Sequence, residues 1–237
     1  MKKILFLCFF AFTAKAQTQI IAVYGTSIEY GYKSIHPNTD SWPARLQYKL
    51  GTGYSVKNYG KVNGTYCYSS YSISITKAQI QEAGIVVLGG PTNDAAYVNQ
   101  PSANVGFRLL YQRRIDSIRK WNPSAKIYCC MAIKAASFTY LSQQNINLRN
   151  SQVRDIAWDN GLTVWSSDQL PISILSPDGL HPTTAGYETM ADFYLKEYTN
   201  EMEGVPITEI YSEERIIPVY PGLELHINKN KRTLYKK

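Results

Sequence analysis

The chain is 237 residues long, 44% hydrophobic and 18% charged, a balance that fits one well-buried globular domain and excludes a disordered chain. Its formal charge of +7 sits at the ends, on Lys2, Lys3 and Lys15 near the start and on Lys229, Lys231, Arg232, Lys236 and Lys237 near the finish, with no acid among them. Taking those three and five charges away leaves −1 for the body, which excludes a broad phosphate-binding face and so nucleic acid as the main partner.

In chain order, two lysines precede an apolar run from Ile4 to Phe12, and the small residues Ala14 and Ala16 flank a cleavage position. This pattern predicts a secretory signal peptide over residues 1–16, removed after Ala16, and a secreted or periplasmic protein. Cys8 lies within the apolar run, so no lipoprotein anchor is expected. No later run approaches the roughly 18–20 apolar residues of a transmembrane helix, and no integral membrane span is expected.

Short apolar runs then alternate with helical patterns. Strands are expected at 20–25, 54–60, 83–90, 125–133 and 162–167. Helices are expected at 40–51, 105–121, 141–161 and 183–198, with Phe107, Leu109, Leu110, Ile115 and Ile118 supplying an apolar stripe in the second. The run AGIVVLGG at 83–90 is unbroken and bounded by glycines, as in a strand buried on both faces. The alternation predicts a parallel sheet with helices on both sides, whose functional groups gather at the strands' carboxyl ends. One domain over 17–200 follows. The tail at 201–237 has three prolines and a basic end; it reads as a solvated terminus ahead of extra edge strands or an attachment or sorting segment, its role open.

Beyond the leader the cysteines are Cys67, Cys129 and Cys130. An odd count argues against a disulfide framework. Cys129 and Cys130 read as inert thiols of a buried strand, with a single bridge from Cys67 to either left open. No Cys/His spacing resembles a metal site, and neither metal nor cofactor is expected.

A serine becomes a nucleophile beside a base that a third group orients. Ser27 follows directly on the first strand, in AVYGTSIEYG. Of the three histidines, His36 lies in a loop and His226 in the tail, whereas His181 lies in SPDGLHPTTAGY, three residues after Asp178. One turn around the intervening glycine brings that carboxylate to the imidazole, and Pro182 keeps the backbone of His181 extended. An oxyanion needs preorganised donors. Gly64 follows the second strand, where a backbone N–H can approach closely, and Asn93 follows the third with a side-chain amide. Asp94 is assigned to loop support. No Gly-x-Ser-x-Gly occurs, which removes the usual α/β-hydrolase elbow.

The ordered blocks Gly25-Thr26-Ser27, Asn58-x-Gly60…Gly64, Gly90…Asn93-Asp94 and Asp178-x-x-His181-Pro182 resemble the SGNH-hydrolase superfamily, the GDSL esterases and lipases, over residues 20 to about 198. The resemblance implies a three-layer α/β/α sandwich of SGNH/flavodoxin-like type with a mainly parallel sheet. It implies Ser27 as nucleophile, His181 as general base and Asp178 as its orienting acid. The oxyanion hole would comprise the N–H groups of Ser27 and Gly64 and the side chain of Asn93. Three blocks depart from the usual pattern: threonine replaces the aspartate of Gly-Asp-Ser, the second block is a residue longer, and the third carries an extra residue before Asn93.

The function expected is a secreted carboxylic ester hydrolase working through an acyl-enzyme on a small ester or an acetylated glycan. Tyr66, Tyr68 and Tyr71 follow Gly64 and suit sugar faces, so a carbohydrate O-acetyl esterase is expected, with Tyr66 and Tyr68 binding substrate. A short-chain lipase or lysophospholipase is the alternative within the class. A glycan-binding module that has lost its oxyanion hole is the alternative outside it.

Overall fold

A computed structural model describes residues 18–67, 69–98, 101–136 and 141–202 and three strands between 215 and 236. The leader lies outside the described residues. The chain divides into two units, one ending at Leu195 and one running from Lys196 to Lys237.

The first unit holds β1 (Gln19–Gly25), β2 (Tyr54–Gly60), β3 (Ile85–Leu88), β4 (Lys126–Cys130) and β5 (Thr163–Trp165). They form a parallel sheet in the order β2-β1-β3-β4-β5. The helices are α1 (Ser27–Tyr30), α2 (Pro37–Asp40), α3 (Trp42–Leu50), α4 (Lys77–Glu82), α5 (Pro101–Trp121), α6 (Gln143–Asp159) and α7 (Thr184–Met202). This is the three-layer α/β fold expected. Its strand order reverses between β1 and β3, and the crevice beyond the carboxyl ends at such a reversal is where ligands bind in open α/β sheets.

Ile85–Leu88 and Ile21–Tyr24 are buried residue by residue, because alternate side chains meet helices on opposite faces. On one face Ala22, Tyr24, Val86, Leu88 and Cys129 pack with Phe107, Tyr111, Ile115 and Ile118 of α5. Those four share one side of the helix at positions about four apart, while Leu109, expected in the same stripe, is 49% exposed. On α7 the buried residues Tyr187, Met190, Ala191 and Tyr194 recur at helical spacing. Tyr194 packs on Trp42 and Trp165, and Trp165 stacks on Tyr128 at 4.6 Å.

β2 is an edge strand, and its open side is covered from α3. Gln47 accepts from the Val56 N–H at 2.6 Å and donates to the Tyr54 carbonyl at 3.1 Å, so a side-chain amide stands where another strand would pair.

Three strands are shorter than expected, β5 among them at Thr163–Trp165. The apolar run of β4 continues past Cys130, yet the ladder stops there, because the Asn150 side chain takes both the N–H (2.7 Å) and the carbonyl (2.9 Å) of Ala132. The run is buried as a loop. β3 ends at Leu88, although the Gly89 N–H still donates to the Tyr24 carbonyl at 2.6 Å. A Cβ on Gly89 would lie 2.4 Å from the Glu29 carboxyl carbon, and one on Gly90 would lie 2.6 Å from the Ala132 backbone.

The second unit contains β6 (Arg215–Tyr220), β7 (Leu223–Asn228) and β8 (Lys231–Lys236). They pair antiparallel in the order β6-β7-β8, with an irregularity between Pro218 and Tyr220. Within the tail, these three strands form a sheet of their own.

Candidate active site

The site starts where β1 ends. Thr26 caps α1: its hydroxyl accepts from the Ile28 N–H at 3.3 Å, and Glu29 reaches back to accept from the Thr26 N–H at 2.6 Å and from the Thr26 hydroxyl at 3.1 Å. This reciprocal box fixes the first turn. Among the described residues nothing accepts from the Ser27 N–H. The helix lasts one turn because Gly31 adopts φ 91°, and the N–H groups of Gly31 and Tyr32 both return to the Ser27 carbonyl, at 3.1 and 2.9 Å.

The second part is a tight turn ahead of α7. The Ser176 N–H donates to the His181 carbonyl at 2.7 Å and the Thr183 N–H to the Ile174 carbonyl at 2.9 Å, while Gly179 turns the chain at φ 72°. Only a residue without a Cβ adopts that backbone readily. Asp178 thereby faces His181, with its Oδ2 2.8 Å from Nδ1 of the ring. Its Oδ1 accepts from the Ser176 hydroxyl (2.8 Å), the His181 N–H (2.9 Å) and the Leu180 N–H (3.0 Å). Partial burial pushes the acidity of Asp178 the other way, but the hydrogen bonds from His181, Leu180 and Ser176 outweigh it and hold the carboxyl well below the usual carboxylate range.

The other ring nitrogen, Nε2 of His181, lies 3.0 Å from Oγ of Ser27. Tyr32 sets its ring edge-on to the imidazole at 4.9 Å. Ser27, His181 and Asp178, 154 residues apart at their extremes, thus form a continuous hydrogen-bonded chain with the polarity a serine nucleophile requires. His36 is the exposed cap of α2 and lies outside this chain.

On the oxyanion side, the Asn93 amide donates to the Gly64 carbonyl at 3.0 Å. A second amide hydrogen remains on that nitrogen. The N–H of Gly64, expected to face an oxyanion, donates instead to the Lys61 carbonyl at 2.8 Å, in a turn that Asn63 closes at φ 60°. Glycine is required there for a different reason: a Cβ would stand 2.8 Å from the Lys61 oxygen and 3.0 Å from that of Gly25. Asp94 is fully buried and accepts from the N–H groups of Tyr66 (2.9 Å) and Cys67 (2.8 Å), so it holds the loop after Gly64.

That loop corrects one expectation. Tyr66 is fully buried, its ring against Phe107 and Tyr111 and its hydroxyl donating to the Gly89 carbonyl at 2.9 Å. It is a core residue and presents nothing to a substrate. Tyr68 lies outside the described residues. Cys67, Cys129 and Cys130 are free thiols, which removes the bridge left open. Burial and the neighbouring Asp94 carboxylate push the Cys67 thiol up to about 12. Among the described residues no group of His, Cys, Asp and Glu side chains is arranged to hold a metal ion, and no helix is long and apolar enough to cross a membrane.

Exposed tyrosines occur elsewhere. A groove of about 660 Å³ follows the open side of β2, lined by Tyr30, Tyr48, Asn38, Arg45, Asn58 and Glu188 among others. Tyr30 is three residues beyond Ser27 on α1, so the two are neighbours on one helix face. No motif in the sequence announced this groove. Glu29 does carry a sequence signal, since Thr-x-x-Glu before a turn of helix is a capping-box pattern.

The sequence profile of the GDSL-like Lipase/Acylhydrolase family matches residues 23–189, a span that contains every residue of this site. No curated protein matches the chain significantly by sequence. Among solved structures, a carbohydrate acetylesterase family member from Sinorhizobium meliloti superposes with a TM-score of 0.62 at 16% identity, over 79% of this chain and 100% of that one. An aryl esterase from M. smegmatis gives 0.62 at 14% identity, over 77% and 99%. A family two carbohydrate esterase from Clostridium thermocellum, in complex with cellohexaose, gives 0.58 at 18%, over 78% and 65%. At these identities the likeness is one of fold.

Proposed function

The chain belongs to the GDSL-like Lipase/Acylhydrolase family and is a carboxylic ester hydrolase; from that premise we propose that it is an exported serine esterase that removes O-acetyl groups from carbohydrate. The observation that carries the mechanism is the unbroken Ser27–His181–Asp178 chain at 3.0 and 2.8 Å. Ser27 Oγ attacks the ester carbonyl as its proton passes to Nε2 of His181. The imidazolium, held by Asp178, gives that proton to the departing alcohol and leaves an acyl-serine. Water then enters by the reverse route, its proton taken by His181, and releases the carboxylic acid and free Ser27. Developing negative charge on the carbonyl oxygen is met by the Ser27 N–H and the second amide hydrogen of Asn93. Gly64 serves by anchoring Asn93 through its carbonyl.

The carbohydrate reading is supported by the groove along β2, which reaches α1 at Tyr30, three residues beyond Ser27, and on which Tyr30 and Tyr48 are exposed, since amphipathic rings suit sugar faces. It is also supported by the carbohydrate esterases among the structural relatives. Export is proposed from the leader pattern in residues 1–16.

The deciding experiment is hydrolysis of p-nitrophenyl acetate, butyrate and octanoate by the protein from Gln17 onwards, with Ser27→Ala in parallel. A rate highest on acetate and lost in the variant is expected, followed by acetate release from acetylated glycans. A rate rising towards octanoate would transfer the assignment to lipids, and turnover that survives Ser27→Ala would overturn the mechanism.

A further inference from the structure

The Gly25-Thr26-Ser27 block has threonine where the related block has an acid, yet a carboxyl group is present beneath the nucleophile. It belongs to Glu29, which is only 2% exposed. One oxygen accepts from the N–H and the hydroxyl of Thr26, at 2.6 and 3.1 Å. The other oxygen, Oε1, faces Gly89 beyond the end of β3. The carboxyl is therefore anchored at Thr26 and lies between the ends of β1 and β3.

The neighbouring glycines fit that position. A Cβ on Gly25 would fall 2.2 Å from Oε2 of Glu29, and one on Gly89 would fall 2.6 Å from Oε1. Both strand ends are thus bare where the carboxyl passes between them. A short acid at position 26 would arise at the β1 end of the same pocket, because the Thr26 hydroxyl already touches Oε2.

We propose that Glu29 is a positioning residue for catalysis: it brings to the strand ends the buried carboxyl that the Gly-Thr-Ser block lacks, and through it sets the turn that presents the Ser27 N–H against the end of β3, from which the loop to Asn93 leaves. The inference rests on the serine-esterase reading above. Glu29 touches no reacting atom. It acts by occupying the N–H of Thr26, while its own N–H is taken by the Thr26 side chain and that of Ser27 stays open, and by filling the space between Gly25 and Gly89, after which the loop to Asn93 begins. Burial pushes the Glu29 carboxyl up while the hydrogen bonds it accepts oppose that shift. An amide in its place would set an NH2 group against backbone donors.

The test compares wild type, Ser27→Ala, Glu29→Gln, Thr26→Asp and Thr26→Asp/Glu29→Gln. The readouts are kcat and KM on p-nitrophenyl acetate, labelling of Ser27 by a fluorophosphonate, and the melting temperature. Glu29→Gln is expected to lower kcat by about 10²-fold, the scale of a misplaced oxyanion donor, with KM changed less than about 3-fold. Thr26→Asp alone crowds two carboxyls together and is expected to lower kcat as well. The double variant, with a single acid restored, is expected to recover at least about 10-fold of the loss. A fall in melting temperature with kcat intact would overturn the positioning role, as would a double variant no better than Glu29→Gln. Should Glu29→Gln fail to fold, Glu29→Asp keeps the acid one methylene short and is expected to show the same split between kcat and KM; unchanged kcat there overturns the proposal. A folded wild type that turns over no ester and takes no label at Ser27 would instead refute the esterase reading itself, and this role with it.

Discussion

Replacing Asp178 by asparagine tests whether the carboxylate chooses the tautomer of His181. Oδ1 accepts from three donors, the Ser176 hydroxyl and the Leu180 and His181 N–H groups, so the amide oxygen of asparagine takes that place. Its NH2 then faces Nδ1 of the ring, where Oδ2 stands at 2.8 Å. A donor opposite Nδ1 requires that nitrogen to be bare, and the ring proton moves to Nε2, 3.0 Å from Ser27 Oγ. The hydroxyl proton then has no acceptor. Flipping the amide restores the productive tautomer but sets NH2 against the two backbone N–H groups, the Ser176 hydroxyl being able to turn and accept, at about 1–3 kcal/mol for each conflict. The resulting range of about 2–6 kcal/mol includes the loss of about 10⁴-fold, about 5.5 kcal/mol, that a wrong tautomer causes in serine triads. The assay is kcat on p-nitrophenyl acetate near neutral pH, with circular dichroism to verify folding. A folded Asp178→Asn enzyme within about tenfold of wild type would refute the reasoning.

Gly60→Ala would place a Cβ 2.3 Å from the Tyr30 nitrogen and 2.6 Å from the Glu29 carbonyl carbon; both are backbone atoms of α1, so the variant should lose about 1–3 kcal/mol in denaturant melts and lower kcat by displacing Ser27. The depressed acidity of Asp178 means that its stabilising effect is present above the unfolded value of about 3.9 and disappears as pH falls through the folded value. Asp178→Asn should therefore melt lower than wild type at neutral pH, the gap closing progressively below about pH 4. Tyr48→Ala, at a residue 89% exposed on the groove, should raise KM on an acetylated oligosaccharide about 5–30-fold, one ring–sugar contact being taken as about 1–2 kcal/mol. The same variant should leave p-nitrophenyl acetate kinetics unchanged; equal effects on both substrates would remove the groove from glycan binding.

Much of this arrangement was legible where glycine, proline and apolar runs punctuate the chain. β2 falls on the expected residues because a glycine stands at or beside each end, and α3 follows its early proline and terminal glycine. The parallel sheet followed from the alternation of elements, and the Asp178–His181 pairing from a three-residue spacing around glycine. What escaped depends on distant partners. The apolar run after Cys130 looks like strand, but a side chain of α6 takes its backbone groups. Tyr66 resembles a groove residue by sequence, yet the carbonyl of Gly89 accepts its hydroxyl inside the core. The helices α1 and α4 are too short for periodicity to register, four and six residues. Both carry capping boxes, Thr26 with Glu29 and Thr76 with Gln79, and that spacing was the available signal.

The acid and the base come from a single tight turn, three residues apart, whereas the nucleophile comes from the other end of the unit. The expensive electrostatic relation is thus local: it can form whenever residues 174–183 close, whatever the rest of the chain is doing. The approach of that turn, and of Asn93, to the end of β1 depends on the assembled sheet. Catalysis in this molecule therefore gauges two long-range distances from residue 27, one to residue 181 and one to residue 93. Surface segments that leave both distances alone are open to remodelling, and a change of substrate need not disturb the reaction.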